Sequence, residues 1–99
     1  MSCAAGYGGA SVAGVDVSRE SIIEGVVVRD HQPVGGAYVR LLDRGGEFAA
    51  EVPTNDTGRF RFFAAPGSWT LRTLAPGVAA VDTRVTAARG DVAEVQVAV

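Results

Sequence analysis

The sequence predicts an all-β domain, an antiparallel sandwich of seven short strands. Three observations carry this. Apolar and polar residues alternate with period two in short stretches spaced about ten residues apart, as half-buried strands require. Gly- and Pro-bearing segments punctuate them: Gly35-Gly36, Gly45-Gly46, Asn55-Asp56-Thr57-Gly58, Ala65-Pro66-Gly67, Ala75-Pro76-Gly77 and Arg89-Gly90-Asp91. No stretch combines helical periodicity with helix caps. A closed barrel would need longer and more regular strands than Phe48 to Val52 supplies, and seven strands divide naturally into two packed sheets.

In chain order, strand one is Ser21 to Arg29. Ile23, Gly25 and Val27 fall on one face, and Ile22, Glu24, Val26 and Val28 on the other. Both faces are apolar enough for a central position. Asp30 to Gly36 is a loop. Strand two, Ala37 to Asp43, points Ala37, Val39 and Leu41 inward and Tyr38, Arg40 and Leu42 outward. Strand three, Glu47 to Val52, sets Phe48, Ala50 and Val52 against Glu47 and Glu51, and Pro53 ends it. In the next turn Asp56 is the expected acceptor of backbone hydrogen bonds, and Gly58 supplies a positive-φ position.

Residues 54 to 71 hold the largest aromatic mass. Phe60 and Phe62 alternate with Arg59 and Arg61. After the Pro66-Gly67 reversal, Trp69 and Leu71 alternate with Thr70 and Arg72. One face therefore collects Phe60, Phe62, Trp69 and Leu71. A one-residue slip would bury two guanidiniums without partners, so the register is expected to hold. Strand six is Val78 to Thr86, and strand seven is Val92 to Val99. Few charges guard strand seven, which offers an edge for pairing with a second copy of the chain.

Residues 1 to 19 read as a flexible Gly/Ala-rich tail ahead of a domain spanning 20 to 99. Four of the 13 glycines lie within the first 14 residues, and glycine raises the entropy cost of ordering a segment.

Composition narrows the function classes. The 99 residues suffice for one core. Nine basic and 11 acidic residues give a net charge of −2, which argues against nucleic acid as a partner. All nine basic residues are arginine. No apolar run approaches the ~18 residues of a membrane span, and no signal peptide is evident. The single cysteine, Cys3, excludes an internal disulfide. Together these features point to the cytoplasm.

Chemistry-bearing residues are few. His31, the only histidine, sits in a turn and reads as a solvated loop residue. A metal site would need three or four ligands, and a nucleophilic triad would have His31 as its only base. The aspartates lie at turns, and no Gly-rich loop opens a helix. No catalytic residue, metal or cofactor is expected. Arg59, Arg61, Arg72, Arg40 and Tyr38 all face outward. If their strands share a sheet, they form a cationic stripe for anions or a partner. The plainer alternative pairs them with Glu47 and Glu51 as surface salt bridges.

The segments Ile23-x-Gly25-x-Val27, Pro33-Val34-x-Gly36-Ala37-x-Val39-x-Leu41, Thr54-x-Asp56-x-Gly58-x-Phe60-x-Phe62 and Pro66-Gly67-x-Trp69-x-Leu71 together resemble the carboxypeptidase regulatory-like domain. That resemblance implies a transthyretin-like (prealbumin-like) Greek-key sandwich, a carbohydrate-binding-like fold. The stretches Gly36 to Asp43 and Phe62 to Arg72 are similar to a narrower group, the SseC-like proteins. These form a small actinobacterial family without an assigned activity, encoded beside a thiosulfate sulfurtransferase and associated with sulfur metabolism. They share a cysteine near the N-terminus, which Cys3 would match. The resemblance implies a non-enzymatic accessory protein that binds a sulfurtransferase or carries sulfane sulfur on Cys3. The alternative is a small-ligand or carbohydrate-binding module. Parity places Trp69 inward, away from the exposed aromatic platform that a sugar would need.

Overall fold

A computed structural model describes the backbone of Ala4–Gly6 and all of residues 21–99. Nine strands occur among the described residues: β1 (Ala4–Gly6), β2 (Ser21–Arg29), β3 (Gln32–Pro33), β4 (Tyr38–Leu42), β5 (Phe48–Pro53), β6 (Arg59–Ala64), β7 (Gly67–Leu74), β8 (Val81–Ala87) and β9 (Val92–Ala98). The seven expected strands correspond to β2 and β4 to β9. The two additions are a two-residue strand and the short β1. Apart from β1, the stretch read as a tail lies outside the described residues.

The strands form two sheets packed as a sandwich. The first runs β1-β6-β2-β3, with β9 also joined to β2; the second runs β5-β4-β7-β8. β2 is the central strand its two apolar faces predicted. Its backbone meets Gly58 and Val34 through Val27, and Asp91 and Val99 through Ile22 and Val28. β6 and β9 therefore flank it on opposite sides. All pairings are antiparallel except β2 with β9, which is parallel from Ile22↔Val92 to Val28↔Ala98. The antiparallel expectation fails at that pair alone. The cause is that β9 enters the first sheet after crossing from β8 in the second.

The core lies between the sheets. Ile23, Val27, Ala37, Val39, Leu41, Val52, Phe60, Phe62, Trp69 and Leu71 are all buried in it. The Phe60 and Phe62 rings sit 6.1 Å apart at 58°, a tilted contact that adds to their area burial. Gly25 faces the core opposite Phe60, and its missing side chain is what seats that ring. A Cβ there would stand 2.8 Å from the ring tip and closer still to the Val95 carbonyl oxygen. Trp69 is 9% exposed, and its indole N–H donates to the Ala65 carbonyl at 2.8 Å.

Several side chains depart from the alternation. A register shift at Leu41/Leu42 pairs Leu42 with Phe48, so Phe48 turns from the side of Ala50 and Val52 to the outer face, where it is 63% exposed. Leu42 occupies that outer face too, yet it is buried. In the β5–β6 turn the acceptor is Asn55 rather than Asp56. Its Oδ1 receives the amides of Thr57 and Arg59 and the Thr57 hydroxyl. Gly58 adopts φ 73° beside it, as expected. Asp30 and His31 take φ 50° and 68°, which makes a tight two-residue hairpin between β2 and β3 where an open loop was expected.

Candidate functional site

The outer faces of the sheets carry the charged residues, and strand pairing decides which of them meet. Arg59 and Arg61 lie on β6 in the first sheet. Tyr38 and Arg40 lie on β4, and Arg72 on β7, in the second. The single cationic stripe therefore does not form; the five residues divide between opposite faces of the sandwich.

On the second sheet Arg40 and Arg72 are cross-strand partners, and each is held by a carboxylate on its far side. Arg40 Nε donates to Glu51 at 2.7 Å. Arg72 donates through two nitrogens to Asp82, at 2.9 and 3.0 Å. A row Glu51–Arg40–Arg72–Asp82 thus crosses all four strands with its charge balanced. The bidentate Arg72 guanidinium holds the Asp82 carboxyl below its usual value, chiefly through the hydrogen bond, and Asp82 in turn raises Arg72. Tyr38 is 50% exposed, in register with Pro53 on one side and Leu74 on the other.

On the first sheet Arg61 is 7% exposed, against the expectation of a solvent-facing guanidinium. The register itself stands, because Phe60 and Phe62 are in the core and Arg61 points away from them. Its Nε donates to Glu24, its cross-strand partner, at 3.1 Å; its Nη1 is buried without a hydrogen bond. A hollow of about 340 Å³ opens beside this pair, lined by Val26, Arg59, Glu94 and Gln96 among others. Of the four stripe arginines, Arg59 alone makes no ion pair with a described residue.

A second hollow, of about 260 Å³, lies on the other sheet where β7 and β8 pair near the β4–β5 turn. Its polar lining is Arg44, Ser68, Thr70, Arg84 and Thr86. Sequence reading missed Arg44 and Arg84. The Ser68↔Thr86 and Thr70↔Arg84 pairing that gathers these side chains is a tertiary fact.

Cys3 lies outside the described residues, one peptide bond ahead of Ala4, which pairs with Phe63 of β6. His31 is exposed in its hairpin. No cluster of three or more His, Cys, Asp or Glu side chains able to hold a metal occurs among the described residues. No helix there is long and apolar enough to cross a membrane. Trp69 is buried and offers no face for stacking on a sugar, whereas the rings of Tyr38 and Phe48 are exposed.

Residues 3–99 match a family model described as "Protein of unknown function (DUF1416)". Two uncharacterized proteins of Mycobacterium tuberculosis, Rv0814c and Rv3118, are each 64% identical over 63 residues, covering 63% of this chain and 63% of the relative. An uncharacterized protein of Mycolicibacterium smegmatis is 60% identical over 63 residues, 63% of this chain and 70% of the relative. The alignment thus spans a little under two thirds of the two M. tuberculosis proteins.

Among solved structures, the major pilin subunit of Bacillus cereus superposes with TM-score 0.69 at 13% identity, over 81% of this chain and 28% of that one. The dioxygenase domain of a dioxygenase–carbohydrate-binding fusion from a cellulolytic Streptomyces gives 0.64 at 12%, over 89% and 84%. A DUF3823 family protein of Parabacteroides merdae gives 0.63 at 19%, over 82% and 46%. At these identities the likeness shows a shared sandwich fold and nothing of activity.

Proposed function

The chain belongs to the DUF1416 family of proteins of unknown function, and we propose that it acts as a non-enzymatic accessory protein of sulfur metabolism in the cytoplasm. In this reading it binds a thiosulfate sulfurtransferase or carries sulfane sulfur on Cys3. The observation that supports it is where the chemistry can reside. The interior of the sandwich is built of apolar side chains apart from the buried Thr73 hydroxyl, and Arg40, Arg61 and Arg72 are each closed against a carboxylate. The one thiol of the chain, Cys3, directly precedes β1 in the sequence. The resemblance of Gly36 to Asp43 and Phe62 to Arg72 to SseC-like sequences supplies the sulfur context.

Loading is a thiol exchange. The Cys3 thiolate attacks the terminal sulfur of the enzyme's persulfide; a new S–S bond forms on Cys3, and the enzyme's own cysteine leaves as thiolate. No net oxidant is consumed. The thiolate is the attacking species, so loading quickens as pH rises toward the ordinary thiol pKa of about 8.5.

The experiment is calorimetric titration of the purified chain with a purified thiosulfate sulfurtransferase, in its persulfide and its sulfur-free forms. Saturable binding with a 1:1 endpoint is the expected result. Absence of heat and of co-elution for both forms, at concentrations up to 100-fold above a micromolar Kd, would reject the partnership.

A further inference from the structure

We propose that the hollow on the outer face of the second sheet, between Arg44 and Arg84, is a binding site for a small tetrahedral oxyanion of the sulfate or phosphate class. Geometry and unused hydrogen-bonding capacity carry the proposal. Ser68 and Thr70 on β7 and Arg84 and Thr86 on β8 point to one face through their cross-strand registers. Arg44 reaches the same hollow from the β4–β5 turn. Among the described residues, neither guanidinium makes an ion pair, and none of the three hydroxyls makes a side-chain hydrogen bond. Each guanidinium offers five N–H donors in a planar fork suited to two oxygens of one anion, and each hydroxyl offers one more.

The neighbouring acids are otherwise engaged or lie apart. Asp82, two residues before Arg84 on β8, is held by both donors of Arg72. Asp43 spends Oδ1 on the amides of Gly45 and Glu47, which fixes the turn that presents Arg44. Glu47 shares that turn and forms no ion pair with Arg44 or Arg84. The Arg44–Arg84 hollow thus keeps two uncompensated cations beside the charge-balanced row.

Size and extent favour a compact anion over a polymer. The volume of about 260 Å³ holds a tetrahedral anion with several waters, at roughly 30 Å³ per water. The adjacent Arg40–Arg72 row is neutralised, so no cationic track continues along the sheet, and the chain's net charge is −2. The site does not depend on Cys3 or on the sulfurtransferase reading, and Cys3→Ser leaves it intact.

The test is a two-dimensional amide NMR titration of the full chain with sodium sulfate, inorganic phosphate and phosphoserine, at ionic strength held constant with chloride. The expected result is saturable movement of the Ser68, Thr70, Arg84 and Thr86 amides. Saturation by sulfate or inorganic phosphate identifies a free anion as the ligand, and tighter saturation by phosphoserine identifies a phosphomonoester. Arg84→Gln and Arg44→Gln are both at exposed positions, and each should weaken the response about tenfold, the loss expected for one charge-assisted hydrogen-bonding group. Arg89→Gln should not. The proposal is overturned by an unchanged titration in the double variant. It is equally overturned by non-saturable shifts of similar size at Arg29, Arg59 and Arg89, the signature of an adventitious ion only.

Discussion

Thr54 ties the start of β4 to the end of β5, and replacing it separates two contributions that usually travel together. Its Oγ1 accepts the Ala37 amide at 3.0 Å and donates to the Val34 carbonyl at 2.7 Å. The Thr54 amide returns to the Ala37 carbonyl, and Gly36 donates to the Thr54 carbonyl. Ala37 and Thr54 are both buried. Thr54→Val keeps the shape but leaves the Ala37 N–H with no acceptor, at about 1–3 kcal/mol for a buried unsatisfied donor, and also removes the bond to the Val34 carbonyl, worth about 1 kcal/mol. The extra methyl offsets roughly 0.8 kcal/mol at best. Thr54→Ser keeps both hydrogen bonds and loses only a methyl, about 1 kcal/mol.

The expected order of stability is wild type, then Ser, then Val, with Val lower than wild type by about 2 kcal/mol. That corresponds to a fall in Tm of roughly 8–16 °C for a domain of this size. Urea unfolding followed by Trp69 fluorescence measures it. A Val variant as stable as the Ser variant would refute the argument that the hydroxyl closes this corner.

Trp69→Ala should cost about 3–5 kcal/mol, from loss of a large core side chain and of its bond to Ala65; a denaturation midpoint near that of the parent would show that the indole is not structural. The Arg72 pair makes a pH prediction. The Asp82 carboxyl is depressed in the folded state, so its stabilisation is present above the ordinary carboxylate pKa of about 3.9 and is lost as pH falls through the folded value. A carboxyl-carbon NMR titration should place the Asp82 midpoint below that seen in Arg72→Gln, and equal midpoints would show that the pair does not persist in solution.

Much of the fold was legible in the residues. The alternation of Ile23, Val27, Phe60, Phe62, Trp69 and Leu71 located the core, because a buried face imposes period two on any strand that borders it. What escaped was relational. The direction of β9 leaves no mark on alternation, which reads the same in parallel and antiparallel pairs. The Leu41/Leu42 shift that exposes Phe48 depends on how two strands meet. Asn55 and Asp56 are equally good turn acceptors until the backbone chooses. The arginines failed as a stripe for the same reason. Parity correctly turned Arg40, Arg59, Arg61 and Arg72 away from the core, but only sheet membership could divide them, and only register could bring Arg40 to Glu51 or Arg61 to Glu24. Arg44 and Arg84 are 40 residues apart in the chain, with nothing local to connect them.

The sulfur-carrier reading is tested most directly by weighing the intact protein after incubation with thiosulfate and a turning-over sulfurtransferase. The account predicts a gain of one sulfur atom, removed by a reducing thiol and absent in Cys3→Ser, because no other thiol exists in the chain. An unchanged mass while the enzyme turns over, or a gain that survives in Cys3→Ser, would contradict it.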